Sequence, residues 1–101
     1  MIYLNVTHKS MAEAEELARE LVRRKAAGMV SIAPIKSIYP LDGEIAERDE
    51  ALLKVITIDS KVQEVEDIVR ELSDGKVPRV ISFSLHRITR EYKDWVSGHV
   101  S

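Results

Sequence analysis

The chain contains no cysteine, which excludes disulfides, thiolate metal ligands and a cysteine nucleophile together. Aromatic residues are only 5% of it, so rings do not interleave with cations as they do in single-strand nucleic-acid binders. Its 4 glycines form no phosphate-cradling loop, and no Ser-His-Asp arrangement is present. Neither sign of charge dominates: 15 Lys and Arg face 17 Asp and Glu, a net charge of -2, so no global field recruits nucleic acid or an anionic membrane. No stretch reaches the roughly 18 apolar residues of a membrane span, and MIYLNVTHKS lacks the parts of a secretion signal. A soluble, cytoplasmic protein is expected. What remains, 101 residues at 45% hydrophobic, suits a single domain over 1–101 with a core small enough for association between copies to help it.

Hydrophobic periodicity lays out the elements. In IYLNVT (2–7), Ile2, Leu4 and Val6 alternate with Tyr3, Asn5 and Thr7, the pattern of a strand. Ser10 and Glu13 have capping-box spacing, and Ala14, Leu17, Ala18, Leu21 and Val22 then form a helical stripe that Gly28 is expected to end. Residues 29–39 favour extended structure, with Pro34 implying an edge, a bulge or a bend. EALLKVITI (50–58) sets Leu53, Val55 and Thr57 opposite Leu52, Lys54, Ile56 and Ile58, a strand expected inside a sheet and covered on both faces. Ser60 and Gln63 repeat the capping-box spacing ahead of Val62, Val65, Ile68, Val69 and Leu72, and SDGK (73–76) breaks that helix. RVISFSL (79–85) alternates Ile81, Phe83 and Leu85 with Val80, Ser82, Ser84 and His86. Thr89 is placed to cap a last short helix anchored by Tyr92 and Trp95, with Val96 on the same face.

This order predicts an α+β, ferredoxin-like βαββαβ chain with an antiparallel sheet and a short C-terminal helix. Within SIYPLDGEI (37–45), LDG reads as the turn between the second and third strands, Gly43 supplying positive φ. Arms of about ten residues, at roughly 3.3 Å each, make a hairpin of some 30 Å, longer than a two-layer monomer requires. A projecting apolar arm invites a neighbouring copy.

Four stretches taken in order, SIYPLDGEI, ERDEALLKVIT (47–57), VPRVISFSL (77–85) and EYKDWV (91–96), resemble the motifs of the CutA divalent-cation tolerance family. The resemblance covers nearly the whole chain. It implies a ferredoxin-like subunit in a tight homotrimer, binding of divalent metals, copper in particular, and a ligand cleft between subunits. Several family residues are replaced here. Gly28, Met29, Val30 and Ser31 stand in place of Ala-Cys-Val-Asn; Ile56 replaces a lysine, with Lys54 two places earlier; and Ser73, Asp74, Gly75, Lys76, Val77, Pro78 and Arg79 replace His-Pro-Tyr-x-Val-Pro-Glu. The thiol, imidazole, phenol and carboxylate that would line the cleft are thus mostly absent.

With thiolates gone, a transition-metal site needs converging imidazoles and carboxylates. Of the histidines, His8 and His99 read as surface residues, His99 near a loose terminus, while His86 shares a strand face with Ser82 and Ser84 and is the better ligand candidate. Asp49 and Glu50 point to opposite faces of a strand and form no acid-base pair unaided. Glu50, matching a family acid, is a ligand or metal candidate, against the alternative of a solvated strand start. Tyr39 is either a cleft residue or packing for a neighbour. Ile38, Tyr39, Leu53, Val55, Ser82 and Ser84 are the expected trimer contacts. RRK (23–25) with Arg87 and Arg90 offers cations for a small anion, against a solvated helix end. No cofactor is certain, a divalent cation such as copper being the one the resemblance suggests. The expected function is a non-enzymatic, CutA-like trimer binding a metal ion or small ligand at subunit junctions. A sensing or scaffold trimer without metal function is the alternative, and an enzyme with an intersubunit pocket the third reading.

Overall fold

The computed structural model describes residues 1–73 and 77–101, so the expected break at SDGK lies, in its residues 74–76, outside the described residues. Strict alternation makes β1 (Ile2–His8), which buries Ile2, Leu4 and Val6, and the same alternation carries His8 into the core face. His8 is 8% exposed, which corrects the expectation of a surface histidine. Its Nδ1 accepts from the Lys9 N–H at 3.0 Å, and its Nε2 lies 3.4 Å from the Leu72 carbonyl.

The helix α1 (Met11–Arg23) starts where its cap predicts: Ser10 Oγ accepts from the Glu13 N–H at 3.2 Å and donates to the Glu13 carboxylate at 3.3 Å. Ala14, Leu17, Ala18 and Leu21 are buried, whereas Val22, at the margin of the stripe, is exposed. The helix does not run to Gly28. Lys25 takes the left-handed conformation at φ 59; its N–H reaches the Val22 carbonyl and the Ala26 N–H the Leu21 carbonyl, each at 3.0 Å. These are the two bonds of a Schellman C-cap, made with lysine where glycine is usual. Gly28 serves packing instead, since a Cβ there would sit 2.9 Å from Val96 Cγ1.

A hairpin of β2 (Met29–Leu41) and β3 (Glu44–Thr57) turns at Asp42 and Gly43, φ 50 and 80, the paired positive angles of a type I′ turn. The strand β3 therefore begins at Glu44, not Glu50. A single 3₁₀ turn (Asp59–Lys61) leads into α2 (Val62–Glu71), which buries Val65, Ile68 and Val69. Ser60 lies inside that turn and caps nothing, and Gln63 donates instead to Asp67 at 3.0 Å. Then follow β4 (Arg79–Ser84) and α3 (Arg90–His99), where Thr89 holds the N-cap position without a side-chain bond.

The sheet order is β2-β3-β1-β4, every neighbouring pair antiparallel, with α1 and α2 on one face. This is the expected α+β, ferredoxin-like arrangement, and Pro34 falls on an edge strand as its missing N–H requires. Ala51, Leu53, Val55 and Thr57 of β3 all face the helices at 0% exposure. The other face is covered only in part. Ile56 packs there against Val96 and Val100, while Leu52 is half-buried and Lys54 exposed, so full cover on both faces is not met within one chain. The C-terminus is tied down, the Ser101 N–H donating to the Lys25 carbonyl at 3.1 Å.

Candidate functional site

Register creates the site. His8, the last residue of β1, lies opposite Ala51, so residues 44–50 of β3 run on past it with only β2 beside them. At about 3.3 Å per residue that overhang is roughly 23 Å, and the molecule's longest dimension is accordingly 47 Å. Where the arm leaves the body, Lys9 and the start of β4 close a corner. The result is an open cavity of about 1040 Å³, lined by Ser37, Tyr39 and Arg48 of the arm and by Lys9, Val77 and Arg79 of the body.

Alternation puts Ser37, Tyr39, Arg48 and Glu50 on the sheet face away from the helices, the face that Arg79 also takes on β4. The Arg79 guanidinium forks onto the Glu50 carboxylate, Nη1 to Oε1 at 3.0 Å and Nη2 to Oε2 at 2.6 Å. The Glu50 side chain is 6% exposed and that of Arg79 44%, so the arginine lies over the acid like a cover. Hydrogen bonding from Arg79 holds the Glu50 carboxyl below its ordinary value against the opposing cost of burial, with help from the Ser37 hydroxyl and the Arg48 charge. Glu50 is thus neither a solvated strand start nor a vacant ligand.

Of the sequence candidates, Glu50 and Tyr39 do meet in this cavity, and the exposed Ile38 stands on its rim. His86 does not join them. The strand β4 ends at Ser84, so His86 lies beyond it and exposed, near the chain start, whereas Arg79 and Glu50 mark the opposite end of the sheet. Leu53 and Val55 fill the core under the helices at 0% exposure, so a partner subunit has no access to them. Ser82 and Ser84 pair with Leu4 and Ile2 and share the helix-side face, yet are exposed because the sheet's outer strand reaches beyond the helices' cover.

The two arginines of RRK are committed elsewhere: Arg23 pairs with Glu20, and Arg24 with Glu20 and Glu71 at 2.8 and 2.7 Å. Val96, not Trp95, anchors α3. The Trp95 ring is 44% exposed, between the Tyr92 ring at 6.1 Å and the His99 ring at 4.5 Å.

Sequence reasoning passed over Arg48, Ser37 and Lys9 as site residues, and named Arg79 only as the replacement of a family carboxylate. The period-two pattern gives the face of Arg79, but only the pairing register shows that this face brings it to Glu50. A divalent cation fits the donors of a single chain poorly. Both Glu50 oxygens are taken by Arg79, and among the described residues no three His, Asp or Glu side chains gather as a metal would need.

The whole chain has known counterparts. The family model for the CutA1 divalent ion tolerance protein matches residues 2–99. The divalent-cation tolerance protein CutA of Archaeoglobus fulgidus is 32% identical over 98 residues, 97% of this chain and 96% of the relative. The CutA homolog of Xenopus laevis is 37% identical over 94% of this chain, which spans 64% of that relative's length. The solved structure of the periplasmic divalent cation tolerance protein CutA from Archaeoglobus fulgidus superposes with a TM-score of 0.94 at 31% identity, covering 100% of both chains. Agreement in topology, and in sequence from the first strand to the last helix, means that the chain belongs to the CutA1 divalent ion tolerance family.

Proposed function

We propose that this divalent-cation tolerance family member acts as a non-enzymatic homotrimer that holds a small ligand, rather than a bare metal ion, where its subunits meet. The observation that carries the reading is the overhang of β3, residues 44–50, paired with β2 on one edge only. Among the described residues it leaves a row of backbone donors and acceptors free on the same side as the outer edge of β4, which likewise has no strand beside it. Two complementary free edges on one chain invite head-to-tail pairing, which gives a closed ring when the rotation between copies closes and an open filament when it does not. Exposed Ile38 and Ile45, on one face of the arm, supply apolar surface for the contact. The cavity at the base of the arm then lies at the junction. Among the described residues that line it, the buried carboxylate, Glu50, is taken up by Arg79.

A metal-binding reading draws on the family's description as a divalent ion tolerance protein, and it requires donors from more than one copy, where the exposed His86 is available. Native mass spectrometry of the purified chain, with and without copper(II), separates the two. The expected result is a trimer taking up no stoichiometric copper. A trimer with one copper per subunit establishes the metal reading instead, and a monomer at micromolar concentration overturns the assembly. Cytoplasmic residence belongs to the same proposal and is checked by cell fractionation.

A further inference from the structure

The cavity carries more information than its position. Of the charged residues that line it, Arg79 is paired with Glu50 and Lys9 with Glu13 at 3.4 Å, and Asp49 alternates to the opposite face, so Arg48 is the cation without an acidic partner among the described residues. Arg79 engages Glu50 through its two terminal nitrogens, which leaves the Nε edge of the guanidinium, with an N–H on Nε and another on Nη2, for a second planar acceptor. Glu50 itself is buried and doubly bonded, so its role is to hold that guanidinium still. An arginine fixed before the ligand arrives loses less side-chain entropy on binding. Arg48, exposed and donating to the Glu47 carbonyl at 3.1 Å, adds a second cation, and the Tyr39 hydroxyl can donate a further bond, the Ser37 hydroxyl being already turned to Glu50. The remaining wall is apolar, from Leu41 and Val77, with Ile38 at the rim on the opposite face of its strand.

We infer that this groove is a site for a small carboxylate with an apolar body, gripped by the Nε edge of Arg79 and by Arg48, with Glu50 as the positioning residue. This rests on the reading of the groove as the ligand site. A carboxylate matches the flat two-pronged edge of arginine. The apolar wall favours a carboxylate with a hydrocarbon body over a free inorganic anion, which would leave that wall wet.

The test is a ¹H–¹⁵N correlation titration of the full chain with sodium benzoate and, separately, with sodium phosphate. Saturable shifts are expected at Tyr39, Arg48 and Arg79 with benzoate, and affinity at least tenfold weaker for phosphate. Arg79→Gln should weaken benzoate at least tenfold. Arg48→Gln, which leaves the ion pair intact and so keeps the fold, should weaken it several-fold. The discriminating variant is Glu50→Gln. Removing a negative charge beside an anion site should tighten binding by simple electrostatics, but freeing Arg79 should weaken it several-fold. Shifts that never saturate, equal affinity for phosphate, or an unchanged affinity in Arg48→Gln overturns the site, and tighter binding by Glu50→Gln overturns its positioning role. Light scattering on the same samples separates the two proposals: a monomer that binds benzoate sinks the trimer alone, and a trimer that does not sinks this inference alone.

Discussion

At the scale of the residue, the Glu50–Arg79 pair makes an asymmetric prediction. Glu50 is buried and Arg79 is half in water, so the two partners are not equivalent when one is removed. Arg79→Ala leaves a buried carboxylate without its two hydrogen bonds and should destabilise the fold by about 1–3 kcal/mol. Glu50→Gln leaves an arginine that can turn to solvent and keeps an acceptor in place, and it should cost less than about 1 kcal/mol. Chemical denaturation of both variants at neutral pH checks the order, and equal losses contradict it. The pair also fixes the direction of a pH effect. Because the folded carboxyl is held below its ordinary value of 4.5, its contribution is complete above that value and disappears as pH falls through the lower folded value. The stability lost on acidification below about pH 4.5 should therefore be smaller in Glu50→Gln than in the parent chain, with midpoints from urea titrations as the readout.

At the scale of the element, caps and close approaches decide what single substitutions do. Lys25 holds a left-handed C-cap at φ 59 that glycine adopts without strain, and its side chain is exposed. Lys25→Gly should stabilise the chain by about 0.5–1 kcal/mol despite adding backbone freedom to the unfolded state. Two other glycines give opposite signs on substitution by alanine. At Gly28 a methyl would meet Val96 Cγ1 at 2.9 Å and its Cα at 3.2 Å, lifting α3 off the sheet. At Gly98, within α3, it would meet nothing within 4 Å. Thermal melts should fall for Gly28→Ala by the equivalent of about 1–3 kcal/mol and rise for Gly98→Ala by a few tenths. These positions also mark the limit of what the letters reveal. Alternation, extended preference and helical spacing placed each strand and α-helix among the described residues, though not residues 44–49 of β3, and Asp42-Gly43 placed the turn, because each signal is local. The end of α1 was misjudged at Gly28 because a lysine strained into the left-handed region has no composition signature. The Ser60 cap failed because the 3₁₀ turn took up that serine. For the site, Glu50 and Tyr39 were legible as candidates, but Arg79 was not, since its partner is set by a pairing across three strands.

At the scale of the whole molecule, the chain is more extended than its length requires. Its radius of gyration is 14.3 Å, against about 12.7 Å for a compact domain of this size. The excess is the arm, whose Ile45 is 78% exposed and Ile38 62%. If the chain folds alone, Ile45→Glu is a surface substitution and should change stability by less than about 0.5 kcal/mol, with a melting temperature independent of concentration. If three copies share the arm, the same change buries a charge in an interface. Unfolding then carries a dissociation step, and each tenfold rise in concentration adds two factors of about 1.4 kcal/mol per trimer, or about 0.9 kcal/mol per chain. For a domain of this length that corresponds to a rise of roughly 4–7 °C. The expected outcome is a concentration-dependent melting temperature for the parent chain, lost together with the trimer peak in sedimentation when Ile45 becomes glutamate. A parent melting temperature that stays flat across a hundredfold range of concentration shows that the arm stands free.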